Sequence, residues 1–192
     1  MTFHPAVRAS AVRDTLAFLD RFEPGARQRV LDRVPAAPRK VILETARSGW
    51  IGAEHDHYTI DAIVALFGTQ RAIYFWCKTL AELSDKPLLK AFLGGMLKMM
   101  PLERTRVVML LATGWQLVYR DMGALEVVTD AAGDPVLRFH DIPELVRRHR
   151  NYLHSWHGGC LGFVALSGLD AVLSFRVAPD TSSAEATFAR SR

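Results

Sequence analysis

The sequence predicts an α+β fold, a mostly helical layer packed on a small antiparallel sheet, and three observations carry that expectation. Apolar residues recur at helical spacing through most of the first 117 positions. After Gly123 the period shortens to two around a turn, the mark of a β-hairpin. One more helical pattern and one more alternating run close the order helices, strand, strand, helix, strand, which suits helices on one face of a sheet. With 192 residues, 49% of them hydrophobic and 23% charged, the chain can bury one sizeable core. It reads as a single domain over 1–178, with N-terminal helices at 5–48 and a core at 49–178. Residues 179–192 are small and polar and read as a flexible tail.

Taken in order, Val7, Ala11, Val12, Leu16, Phe18 and Leu19 define a first amphipathic helix, and Phe22-Glu23-Pro24-Gly25 a turn. Two short helices follow, separated by Pro35 and Pro38, since proline ends a helix but is tolerated in a first turn. Residues 48–58 lose the period and carry Gly49 and Gly52, so they read as a loop that holds Trp50 and Ile51 on the core. Thr59 is then the expected N-cap of a helical stretch with a break near Gly68. Further helices are expected over 88–100 and 102–117, divided by Pro101. Leu125, Val127 and Thr129 alternate before a turn at 132–135, and Val136, Leu137 and Phe139 resume. Asp141 and Glu144 have capping-box spacing, so one helix is expected from there to Ser167. Residues 171–177 form the last expected strand.

The net charge of +4 comes mostly from arginines spread along the chain, and no nucleic-acid partner is indicated. Cys77 and Cys160 make no Cys-x-x-Cys pattern, which favours a reduced, cytoplasmic setting. No apolar run reaches the roughly 20 residues that span a bilayer, and no leader-like segment opens the sequence.

Chemistry concentrates in Tyr152-Leu-His-Ser-Trp-His-Gly-Gly-Cys-Leu-Gly-Phe163. On a helix, Tyr152, Trp156, Cys160 and Phe163 share a buried arc, and the glycines take a separate side suited to close backbone approach. A zinc site would draw on His154 and His157 together with His55 and His57, because His154, His157 and Cys160 alone spread over about 120° at 100° per residue. Haem ligation by His154 or His157, and a Cys160–His157 nucleophilic pair, are weaker alternatives, since Cys160 falls on the apolar face. Arg147, Arg148 and Arg150 offer an anion- or partner-binding run, or a solvated helix face. The two Gly-Gly helices can instead border an apolar ligand cleft made of Phe92, Gly94, Gly95, Met96, Met99, Trp115, Trp156, Gly159, Cys160 and Phe163, the alternative being close helix packing.

Gly49-Trp50-Ile51, Pro87-Leu-Leu with Phe92-Leu-Gly-Gly-Met96, Thr113-Gly114-Trp115 running into Tyr119-Arg-Asp-Met-Gly123, and the closing order of hairpin, Gly-containing helix and strand give residues 50–177 a layout that resembles the DUF2378 family of uncharacterised bacterial proteins. More distantly it resembles vinyl-reductase-type and vesicle-tethering-subunit-like ligand-binding domains, although the cysteine cluster of some vinyl-reductase-type domains is absent. The resemblance implies no established enzymatic activity, and a pocket for a small apolar ligand or a dimer surface. The expected function is therefore a non-enzymatic cytoplasmic domain for self-association, partner binding or apolar-ligand binding, in a sensory or regulatory role. The alternative is a metal- or haem-dependent sensor or enzyme built on the four histidines.

Overall fold

The computed structural model describes residues 4–84 and 104–191. Among them are eight helices and seven strands in an α+β arrangement. The first part runs β1 (Ala6–Arg8), α1 (Ala9–Phe22), α2 (Ala26–Arg33), α3 (Ala36–Glu44), β2 (Trp50–Gly52), α4 (Ala53–Phe67) and α5 (Thr69–Ser84). The second runs α6 (Arg104–Val118), β3 (Tyr119–Arg120), β4 (Ala124–Thr129), β5 (Pro135–His140), α7 (Glu144–Arg148), α8 (Asn151–Ser167), β6 (Ala171–Val177) and β7 (Ala184–Arg190).

Two antiparallel sheets result. The smaller has the order β2-β1-β3, with Val7 opposite both Ile51 and Tyr119. The larger has the order β4-β5-β7-β6, and its inner side chains Leu137, Phe139, Ala186 and Phe188 are buried. Helices α5 and α8 pack along each other at the centre of the helical layer. Phe18, Phe22, Phe67 and Phe75 interlock at one end of the core, with Phe22 and Phe75 centroids 5.2 Å apart. At the other end Trp156 stacks on Phe139 at 5.3 Å and meets the edge of Trp115 at 4.8 Å. Burying such aromatics removes 150–250 Å² each from water, so these clusters dominate the core energetics.

Four expectations need correction. The flexible tail is strand β7 over 184–190, which pairs with β5 on one side and β6 on the other. Its alternation is written in Ala184, Ala186 and Phe188, so the signal is weak in hydrophobicity although all three are buried. The small sheet was not expected at all, because strands of two or three residues are too short to show a period.

The loop over 48–58 ends early: α4 starts at Ala53, and Thr59 lies inside it rather than at its cap. Its inward positions include Ala53, Asp56, His57, Ile60 and Ile63, a helical spacing partly spelled in polar residues, which hides it from a hydrophobic pattern. Finally, the helix expected to run from the Asp141–Glu144 capping box to Ser167 is two helices. The cap residue is Pro143 without a side-chain hydrogen bond, Asp141 has φ 53° and pairs with His140 instead, and His149 breaks the helix at φ −102°, ψ 69°. The break near Gly68 is present, with that glycine at φ 74° between α4 and α5. None of the described helices is long and apolar enough to cross a membrane.

Candidate functional site

Helix α4 places Asp56, His57 and Asp61 against the start of α8. Of these, His57 and Asp61 are one turn apart, so both face the same neighbour. The neighbour is His149, the residue at the α7–α8 break. The His57 and His149 rings stack with centroids 3.8 Å apart, and His149 Nδ1 lies 3.4 Å from Asp61 Oδ2. Ligand-capable atoms of His57, Asp61 and His149 all lie within 4.8 Å of one another, and this is the group of three such residues that converges among the described residues.

Two of the three members have a partner outside the cluster that orients them. His57 Nδ1 donates to the Ala53 carbonyl at 3.2 Å, and Asn151 Nδ2 donates to Asp61 Oδ1 at 2.7 Å. Burial, followed by the neighbouring His149, lowers the pKa of His57. Behind this cluster Tyr152 Oη donates to Asp56 Oδ2 at 3.0 Å. Asp56 is only 3% exposed, and burial raises its carboxyl to about 6 against the opposing effect of that hydrogen bond. Burial and the Asp56 charge together raise the Tyr152 phenol.

The histidines singled out in the sequence do not come together. Of the four, only His57 joins the cluster. His55 sits beside Glu54 on α4, 3.8 Å away. His157 stacks on Phe175 at 4.9 Å, and burial lowers both His154 and His157. The sequence reading missed Asp61 and His149. A His57-x-x-x-Asp61 spacing is a recognisable ligand pair only where both residues lie on one helix, and the sequence pattern places His57 in a loop ahead of it.

Cys160 lies in the core, where burial pushes its thiol up to about 12. A thiol held in that form is a poor nucleophile, so the Cys160–His157 pair gains no support. Arg148 pairs with Glu144 at the surface and Arg150 donates to the Pro179 carbonyl at 3.4 Å, while Arg147 contributes to lowering the Asp180 carboxyl and its Nε is buried without a hydrogen-bond partner among the described residues.

Among the apolar-ligand candidates, Trp115, Trp156, Cys160 and Phe163 pack into the core or against it. Phe92, Gly94, Gly95, Met96 and Met99 lie outside the described residues. The glycine side of α8 is occupied where it is described: an added Cβ would stand 2.5 Å from Ile73 O at Gly158 and 2.6 Å from Cys77 O at Gly162, whereas Gly159 has nothing within 4 Å. A cavity of about 490 Å³ opens elsewhere, between Arg104, Pro135, Gly168 and Arg190, and none of the candidate residues lines it.

The outer edge of the larger sheet is a second feature. Among the described strands β6 pairs with β7 alone, over all seven of its residues, and Val172 on it is 59% exposed. No protein-family model matches the chain, and neither a curated protein nor a solved structure is similar to it.

Proposed function

We propose that the chain is a non-enzymatic cytoplasmic binding domain that associates with a second copy of itself through edge strand β6. The observation that carries this reading is that seven-residue edge, Ala171-Val-Leu-Ser-Phe-Arg-Val177, with its apolar Val172 in solvent. A strand of that length with no partner beyond β7 among the described residues presents a row of backbone donors and acceptors, the usual template for adding another strand.

The sequence of β6 suits a copy of itself. In an antiparallel pairing about Ser174, Leu173 faces Phe175 of the second copy on the inner side, and Val172 faces Arg176 of the second copy on the outer side. Arg176 is the one charged residue of the strand, so this register brings no like charges opposite each other, and its aliphatic stem can cover Val172. A two-fold interface of this kind closes on itself and does not propagate into fibres. The buried, high-pKa Cys160 does not suit a nucleophile, which leaves a binding role the better fit. The layout resembling the DUF2378 family points the same way.

The test is the oligomeric state of the full chain by light scattering across a concentration series, for wild type, Val172→Lys and Ser174→Lys. A dimer is expected for wild type. Ser174→Lys sets two ammonium groups directly opposite and should give a folded monomer. A wild-type chain that stays monomeric to its solubility limit, or lysine variants that remain dimeric, would overturn the proposal.

A further inference from the structure

We propose that His57, Asp61 and His149 form a binding site for a divalent first-row transition ion of the zinc type. The inference is independent of the β6 association, since it rests on α4 and the α7–α8 junction.

The donor set is two imidazole nitrogens and one carboxylate oxygen. Calcium and magnesium call for shells of oxygen ligands, and one carboxylate does not supply that. Copper(I) and iron–sulfur clusters favour thiolates, and no cysteine joins this group among the described residues. Two histidines, one carboxylate and a solvent molecule are instead a recurrent set for zinc, which accepts a tetrahedral site with three protein ligands.

The donors are close, but the His57 and His149 rings stack with centroids 3.8 Å apart, so their in-plane lone pairs meet at one ion only when the His149 side chain turns out of that stack. Zinc bonds of about 2.0–2.1 Å place tetrahedral donors roughly 3.4 Å apart. His149 Nδ1 and Asp61 Oδ2 already stand at 3.4 Å, and the whole set lies within 4.8 Å. The closure falls on the side chains free to move: those of Asp61 and His149 are 39% and 30% exposed, while buried His57 is the fixed member. The same exposure leaves the remaining coordination position to water.

Outer partners are in place as well. His57 gives its Nδ1 proton to Ala53 O, which leaves the lone pair on Nε2 for a metal, and Asn151 holds Asp61 by Oδ1, which leaves Oδ2 on the His149 side. Ligating histidines and carboxylates are oriented in this way at established metal sites, where the arrangement raises ligand basicity.

The test uses the full chain freed of metal with EDTA. Zn(II) binding is followed by calorimetry and by the rise in melting temperature, and Co(II) is used as a visible probe. The expected result is one ion per chain, a Co(II) d–d absorption band of a four-coordinate N/O site, and a thermal upshift that EDTA reverses. Asp61→Asn keeps an acceptor for Asn151, and His149→Gln alters a partly exposed side chain, so both should fold, as circular dichroism checks. Each is expected to weaken Zn(II) by more than about tenfold, the range that even outer-partner changes reach. His55→Gln and the double variant His154→Gln/His157→Gln should bind as wild type does. Absence of stoichiometric binding, unchanged affinity in Asp61→Asn and His149→Gln, or loss of affinity in the His154/His157 double variant would overturn the assignment.

Discussion

Replacing single glycines of α8 by alanine should have opposite effects one residue apart. A Cβ at Gly158 would lie 2.5 Å from Ile73 O, 2.7 Å from Trp76 Cβ and 3.3 Å from Cys77 N. Two of those atoms are backbone of α5, so no rotamer change relieves the clash and the two helices must separate. Overpacking that forces backbone shifts costs about 1–3 kcal/mol, against a helix-propensity gain of about 1 kcal/mol for Gly→Ala. With its contact at 2.5 Å the cost falls at the upper end of that range, so Gly158→Ala is expected to destabilise by roughly 1–2 kcal/mol net. Gly162→Ala, with its Cβ 2.6 Å from Cys77 O and 2.9 Å from Leu80 Cβ, should behave alike. Gly159→Ala meets nothing within 4 Å and keeps only the propensity gain, so it should stabilise by about 0.5–1 kcal/mol. For a chain of this size each kcal/mol moves the melting temperature by about 2–4 °C. Urea and thermal unfolding of the three variants would read the signs directly. Gly158→Ala and Gly159→Ala shifting in the same direction would refute the close α5–α8 contact.

Two further outcomes test the rest of the framework. Phe188→Ala removes a fully buried ring from β7 and should cost about 3–5 kcal/mol, whereas a residue of a loose tail would cost almost nothing; equilibrium unfolding separates the two. In EDTA, the stability difference between wild type and Asp56→Asn should depend on pH. The folded carboxyl titrates near 6 and the unfolded one near its ordinary value of 3.8. Its contribution is thus fully present below about pH 4 and lost as pH rises through 6, an amount on the order of 3 kcal/mol at 1.36 kcal/mol per pKa unit. Asp56→Asn should gain on wild type across that window, and a pH-independent difference would refute the buried, protonatable carboxyl.

The α+β class and most of the helices were legible because a period of 3.6 or 2 written in large apolar residues survives in the sequence. Where the inward residues are polar or small, the period disappears. Asp56 and His57 turn the first two turns of α4 into an apparent loop, and Ala184 and Ala186 make a central strand resemble a tail. The short strands β1 to β3 are fixed by partners more than forty residues away, as with Val7 and Ile51, and carry no local signal. The histidine site failed for a compound reason. Asp61 becomes a neighbour of His57 only once α4 is known to be helical there, and His149 reaches them only because the helix breaks at that residue, which projection onto one continuous helix cannot show.

The polar layer between α4 and α8 also bears on why those two helices meet in one orientation. Apolar side chains tolerate sliding, whereas the Tyr152–Asp56 bond at 3.0 Å and the Asn151–Asp61 bond at 2.7 Å each fix an atom of one helix against an atom of the other. Burying Asp56 costs stability at neutral pH, so the pair is better understood as setting the register than as strengthening the fold. Asn151 and Tyr152 open α8 directly after the His149 break, and Asp56 and Asp61 flank His57 on α4. Holding those four in register therefore holds His57 and His149 face to face at 3.8 Å. Tyr152→Phe, which leaves the His57, Asp61 and His149 side chains untouched, is expected to loosen this register and to weaken Zn(II) binding in calorimetry while the chain stays folded by circular dichroism; unchanged affinity would show that the Tyr152–Asp56 bond does not position the cluster.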